Sequence, residues 1–193
     1  MTPEDRDLSK LPMPGGFDPA MVMRHISSWG HGGHIGMEYI GHGDGWVELA
    51  FDWREDLVGD PETGVLASSP IISLMDNATS MAIWTKLHEY RPQVTMDLRV
   101  DYLRPSPKGE RVYGQGVCYH LTHSIGFVRG IAHNGDAERP LAHVSGTFIR
   151  IGVGAWDIGS SYFLPRIVGS SVASELLLTG DFIEAPRALQ TGL

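Results

Sequence analysis

The chain contains one cysteine, Cys118, among its 193 residues. An intramolecular disulfide is therefore excluded, and the apolar neighbours of Cys118 point to a buried thiol in a reducing cytoplasm. No run reaches the roughly 18 apolar residues that a membrane span needs. The opening stretch MTPEDRDLSKLPMPGG lacks the apolar core of an export signal, so a protein neither exported nor inserted is expected. Basic residues are scarce too: 15 Lys and Arg stand against 23 Asp and Glu, a net charge of −8. Such a chain offers no general basic surface to a nucleic-acid backbone, and an anionic ligand would need a local basic pocket against the overall field. Metal-ligand spacing is confined to His31 and His34 in a glycine-rich segment, so no metal and no cofactor are expected.

What is present suits a packed core. Hydrophobic residues make up 42% and charged residues 20% of a chain long enough for one domain and a short appendage. Asp18-Pro19 opens a helix that carries Met21, Val22, His25, Ile26 and Trp29 at helical spacing, and WGHGGHIG breaks it. Ile35, Met37 and Tyr39, then Val47, Leu49, Phe51 and Trp53, alternate with other residues and predict two strands joined at GHGDG. Residues 54–64 read as a loop. Ser69 before Pro70 reads as an N-cap with a first-turn proline. The following IISLMDNATSMAIWTKLHEY has no glycine or proline over about five turns and is apolar on most faces, the pattern of a buried helix.

After Pro92 the period changes to two, with Val94, Met96, Leu98, Val100 and Tyr102 on one face and Thr95, Asp97, Arg99 and Asp101 on the other. Three more strands are predicted near 111–121, 124–133 and 142–151. A buried helix against consecutive antiparallel strands is an α+β architecture without internal repeats.

The stretches LMDNATSMAIW, QVTMDLRVDYLRPSPKGERV and HVSGTFIRI resemble the acid-bearing helix, the following long strand and the last strand of PaaI-type acyl-CoA thioesterases of the hot-dog fold. The resemblance covers about residues 35–150 and implies a domain over 1–150 in which a curved antiparallel sheet wraps a long central helix. It also implies an acyl-CoA substrate, hydrolysis to free acid and CoA, and a homodimer or a dimer of dimers. In such dimers the acid of one chain lies near the helix start of its partner. One departure is plain: the family's His-Gly-Gly, nine residues before the acid, is replaced by Ala67-Ser68-Ser69. The His-Gly-Gly at His31, Gly32 and Gly33 is followed nine residues later by Ile40 in a predicted strand, and is set aside for want of an acid and a helix.

Thioester hydrolysis needs a base for water, or a nucleophile, and donors for the charge that develops on the carbonyl oxygen. Asp76 is the candidate base or nucleophile, with Asp60 in the preceding loop the next carboxylate in line. The free N–H groups at Ser68 and Ser69 are the candidate oxyanion donors. Asn77 and Thr95 match positions that orient water or substrate in similar thioesterases. Arg104, Lys108, His123 and Arg129 are candidates for CoA phosphates. From about residue 148 the text resembles an internal fragment of the crotonase family, with Asp157 at an acid position of some crotonase isomerases. Residues 151–193 are accordingly expected to form a helical appendage rather than a domain. A catalytically weak acyl-CoA-binding protein and a hydratase or isomerase relative remain as alternatives.

Overall fold

The computed structural model of the protein describes residues 18–27, 29–150, 160–179 and 183–192; Asp157 lies outside them. Helices α1 (Pro19–Ser27) and α2 (Gly30–Ile35) precede a hairpin of β1 (Glu38–Gly43) and β2 (Trp46–Phe51). A 3-10 turn at Glu55–Leu57, β3 (Val58–Asp60) and β4 (Val65–Leu66) lead into α3 (Ser68–Leu87). Four strands follow: β5 (Gln93–Tyr102), β6 (Val112–Leu121), β7 (Ile125–His133) and β8 (Ala142–Arg150). Helices α4 (Ser160–Val168), α5 (Ser170–Thr179) and α6 (Ala185–Thr191) come last. No helix among the described residues is long and apolar enough to cross a membrane.

Six strands form one antiparallel sheet in the order β1-β2-β6-β7-β8-β5, with α3 packed on β2, β6 and β7. Leu74, Met75, Ala78, Met81, Ala82 and Ile83 of α3 meet Val47, Leu49, Phe51, Val112, Val128 and Phe148 of the sheet in one buried core. Each large side chain removed from water this way contributes about 1.5–3 kcal/mol. The helix comes so close to β6 that a Cβ at Gly116 would overlap the Ala78 carbonyl and lie 2.5 Å from the Thr79 amide nitrogen. Only glycine admits that approach.

Four expectations are corrected. The segment WGHGGHIG does not simply end α1, because residues 30–35 form α2. Its C-terminus is capped by Gly36 at φ 73°, whose N–H turns back to the Gly32 and Gly33 carbonyls. Buried Ile35 and an Arg54 hydrogen bond to the His34 carbonyl hold it down, so tertiary contacts offset a poor intrinsic propensity. As a result Ile35 and Met37 precede the first strand. The loop at 54–64 contains the 3-10 turn and the short β3. At the start of α3 the N-cap is Ala67, not Ser69, which places Ser68, Ser69 and Pro70 inside the first turn.

The fourth correction concerns β5. Its pairing with β8 shifts register between Thr95 and Asp97, so Met96 is an inserted bulge residue. Thr95 pairs with Phe148 while Leu98 pairs with Gly146 and Val100 with Val144, and cross-strand partners share a face. Thr95 therefore faces the core side together with Leu98 and Val100, instead of opposing them. Met96 is 46% exposed.

Candidate active site

One stripe of α3 is left uncovered by its own sheet. Ser69 and Ile72 are exposed there, and Ser73, Asp76, Asn77 and Ser80 are half-buried. These positions recur at spacings of three and four residues, which brings them onto one face. Asp76 is the carboxylate on that face. Its Oδ1 accepts a hydrogen bond of 2.8 Å from the Thr95 hydroxyl, and the Met96 bulge is what turns that hydroxyl inward. Oδ2 has no partner among the described residues and is open to a water or a substrate atom. The Asn77 side-chain amide donates to the Ser73 carbonyl at 2.8 Å, and the Gln93 amide donates to the Ser80 carbonyl and hydroxyl at 2.6 Å each.

At the other end of the stripe, Ala67 has no oxygen with which to cap the helix and no side-chain cap forms. The first-turn N–H groups of Ser68 and Ser69 therefore keep their donor capacity. The chain is led into this turn by bonds from the Ala67 N–H to the Leu57 carbonyl at 2.9 Å and from the Leu66 N–H to the Ser106 hydroxyl at 3.0 Å. Tyr102 donates to the Ser68 carbonyl at 3.2 Å. A cavity of about 280 Å³ opens beside it, lined by Leu66, Ser68, Ile71, Tyr102, Arg104 and Ser106 among others. Within one chain, Asp76 and Ser68 are separated by eight residues of helix, about 12 Å along its axis.

The four residues considered for CoA phosphates do not gather at one place. Arg104 is bound to the Arg139 carbonyl and to the Asn134 side chain, and so pins the β7–β8 connection. Lys108 is exposed near the start of α3, with its stem against Gly64 and its ammonium 6.0 Å from the Trp53 ring centre. His123 sits in the β6–β7 turn at the opposite end, where Gly126 abuts Ile83, roughly 22 Å along α3 from Ser68. Arg129 lies on the outer face of the sheet, 5.9 Å from the Tyr119 ring centre, because its neighbour Gly130 faces Met75 and Thr79. Asp60, the other carboxylate considered, accepts from the Thr63 hydroxyl and the Glu62 N–H in its own exposed turn. Those bonds hold its pKa below the usual carboxylate range.

One residue set aside on sequence grounds returns. His31 does lie on a helix, α2, and its Nε2 shares a 2.9 Å hydrogen bond with the Ser73 hydroxyl, one turn before Asp76. No local signal reveals this contact, since residues 31 and 73 are 42 positions apart.

Residues 64–140 match the model of the thioesterase superfamily. Among solved structures, a Pseudomonas aeruginosa protein is 30% identical, over 69% of this chain and 99% of its own, with a TM-score of 0.63. A Haemophilus influenzae thioesterase is 19% identical, over 71% of this chain and 92% of its own, at a TM-score of 0.62. The Escherichia coli PaaI protein from the phenylacetic acid degradation operon is 18% identical, over 62% and 83%, at 0.55. The last two share the fold, and the sheet curved around α3 is the expected hot-dog architecture. No curated protein matches the chain. The family match ends at residue 140, which leaves the crotonase-like reading of residues 151–193 without support.

Proposed function

From the match of residues 64–140 to the thioesterase superfamily we propose that the chain is a member of it and hydrolyses an acyl-CoA to free acid and CoA at a site shared by two copies of itself. The observation that carries the proposal is the way β5 runs against α3: Thr95 meets Asp76 near one end of the strand and Tyr102 meets Ser68 at the other. The outer edge of β5 pairs with nothing among the described residues, and Val94, Met96 and Tyr102 are 45–49% exposed on it. The opposite edge strand, β1, has α1 packed on it. A ten-residue bare edge favours pairing with another strand. A two-fold axis through the middle of β5 would lay the Thr95 end of one strand against the Tyr102 end of its partner. Asp76 of one chain would then face the uncapped helix start of the other.

In that arrangement Asp76 acts as base on a water, or as nucleophile, with Thr95 holding its carboxylate and leaving Oδ2 for the reaction. The partner's first-turn N–H groups and helix dipole stabilise the oxyanion, while Asn77 borders the acyl group. Of the four candidates, Lys108 is the one kept for a CoA phosphate, because it is exposed and lies at the helix-start end. The absent histidine at Ala67 removes a side chain from the helix start but none of its backbone donors.

CoA release measured over acyl chains of different length and aromaticity tests the function and finds the substrate. With the best substrate, Asp76→Asn should lower kcat by about 10²–10⁴ while the melting temperature stays put. A folded Asn variant with parental kcat would move the role to another carboxylate, Asp60 first.

A further inference from the structure

We infer that His31 and Ser73 form a proton relay from the reacting centre to solvent. The inference rests on the proposed hydrolysis. Ser73 stands one turn before Asp76 on the open stripe and is half-buried, while the His31 ring bonded to it is exposed on α2. The ring is aimed by a backbone that is fixed on several sides: Gly36 caps α2, Ile35 is buried, and Arg54 holds the His34 carbonyl at 2.8 Å. An imidazole with one edge on a half-buried hydroxyl and the other toward water is the arrangement that moves protons near neutral pH.

The reaction leaves one proton for such an exit to carry. Thioester and water yield carboxylate, thiol and one proton. Asp76 accounts for the first proton of the water: it takes that proton as the oxygen attacks the carbonyl carbon, and returns it to the sulfur as the carbon–sulfur bond breaks. The second remains on the hydroxyl of the tetrahedral intermediate and must leave before a carboxylate can form. Ser73 Oγ accepts it while passing its own proton to Nε2 of a neutral His31, and the exposed ring releases a proton to water. No oxidant, metal or further reactant enters this balance. Among the described residues, the charged and titratable groups around the ring are few. His34 stacks on it within α2 at 6.5 Å, and Asp76 stands beyond Ser73 on α3. Arg54, near the His34 carbonyl, is paired with Asp56. On α1, Arg24 lies over Tyr39 and His25 against Trp29.

A bond that merely clamps α2 onto α3 would look the same, so the test must separate transport from clamping. The full chain is assayed for CoA release as the parent, His31→Ala, His31→Gln, Ser73→Ala and the His31→Ala/Ser73→Ala double variant. His31→Ala should lower kcat about tenfold or more with KM within about twofold, and Ser73→Ala should do the same. The double variant should be no slower than either single one, because both break one path. Added imidazole should restore kcat to His31→Ala but not to Ser73→Ala. His31→Gln, which can bond to Ser73 yet cannot titrate, should stay slow. Parental kcat in His31→Ala, or a fully active His31→Gln with no imidazole rescue of the alanine variant, overturns the relay. Asp76→Asn alongside separates this idea from the one beneath it. If that variant is inactive and His31→Ala is fully active, the relay alone is refuted; a parent chain that hydrolyses no acyl-CoA refutes both.

Discussion

On the side of α3 that meets the sheet, the polar groups bond back to their own helix, whereas on the open stripe, Asn77 excepted, they are bound by other parts of the molecule. Thr79 and Thr85, both buried, donate back to the Met75 and Ala82 carbonyls of their own helix at 2.7 and 2.8 Å. Ser73, Asp76 and Ser80 are bound instead by His31 of α2 and by Thr95 and Gln93 of β5. Hydroxyls inside a core bend back to the nearest carbonyl because an unpaired polar group there costs about 1–3 kcal/mol. A half-open stripe carries no such penalty, so polar side chains converging on it from two other elements call for a chemical explanation. The comparison separates groups that maintain the helix from groups that act beside it.

Attacking the closed side should damage the fold most. Gly116→Ala would drive a methyl group into the Ala78 carbonyl and the Thr79 amide, both of them backbone. A loss of about 3 kcal/mol is expected, seen as a fall of roughly 6–12 °C in Tm; an unchanged Tm would mean that α3 does not sit that close to β6. On the open side the effect should be smaller and of another kind. Thr95→Val keeps the shape but removes the donor to Asp76, so kcat should fall about tenfold, the worth of one hydrogen bond to a charged group, with Tm nearly unchanged. A valine variant with parental kcat would make the inward turn of β5 at Met96 incidental. The smallest effect is expected far from either side: deleting everything after about Val153 should leave dimerisation and CoA release as they were. A soluble, dimeric truncation without activity would bring the tail into the site.

The closed side of α3 was legible in the sequence because its signals are local: a long stretch free of glycine and proline, apolar on most faces, with Asp76 standing out among Leu74, Met75 and Ala78. The strands after Pro92 could be read from period two and turn residues, but not their order, since β5 pairs with β8 and not with the β6 that follows it. The open side depended on pairings that no local pattern records. A bulge at Met96 follows from how β5 aligns with β8, and strict alternation along 94–102 hides it. Likewise, α2 exists because Gly36, Ile35 and Arg54 fasten it, so a glycine-rich stretch read as a break holds the histidine that meets Ser73. Arg104 could be read as a cation but not as one occupied by Asn134 and the Arg139 carbonyl.

The central claim is that Asp76 works with the partner's helix start, and mixing two inactive chains tests it most directly. The first chain carries Asp76→Asn. The second carries Ser68→Pro, which removes one first-turn N–H at a position where helices accept proline; Ala67, at φ −59° and ψ 154°, already has the extended conformation that a following proline demands. Each alone should be nearly inactive. After dissociation and statistical reassociation in equal amounts, half the dimers are hybrids with one intact site of two, so about one quarter of the parental CoA-release rate should return. A reassociated mixture no more active than its two components would contradict a site shared between chains.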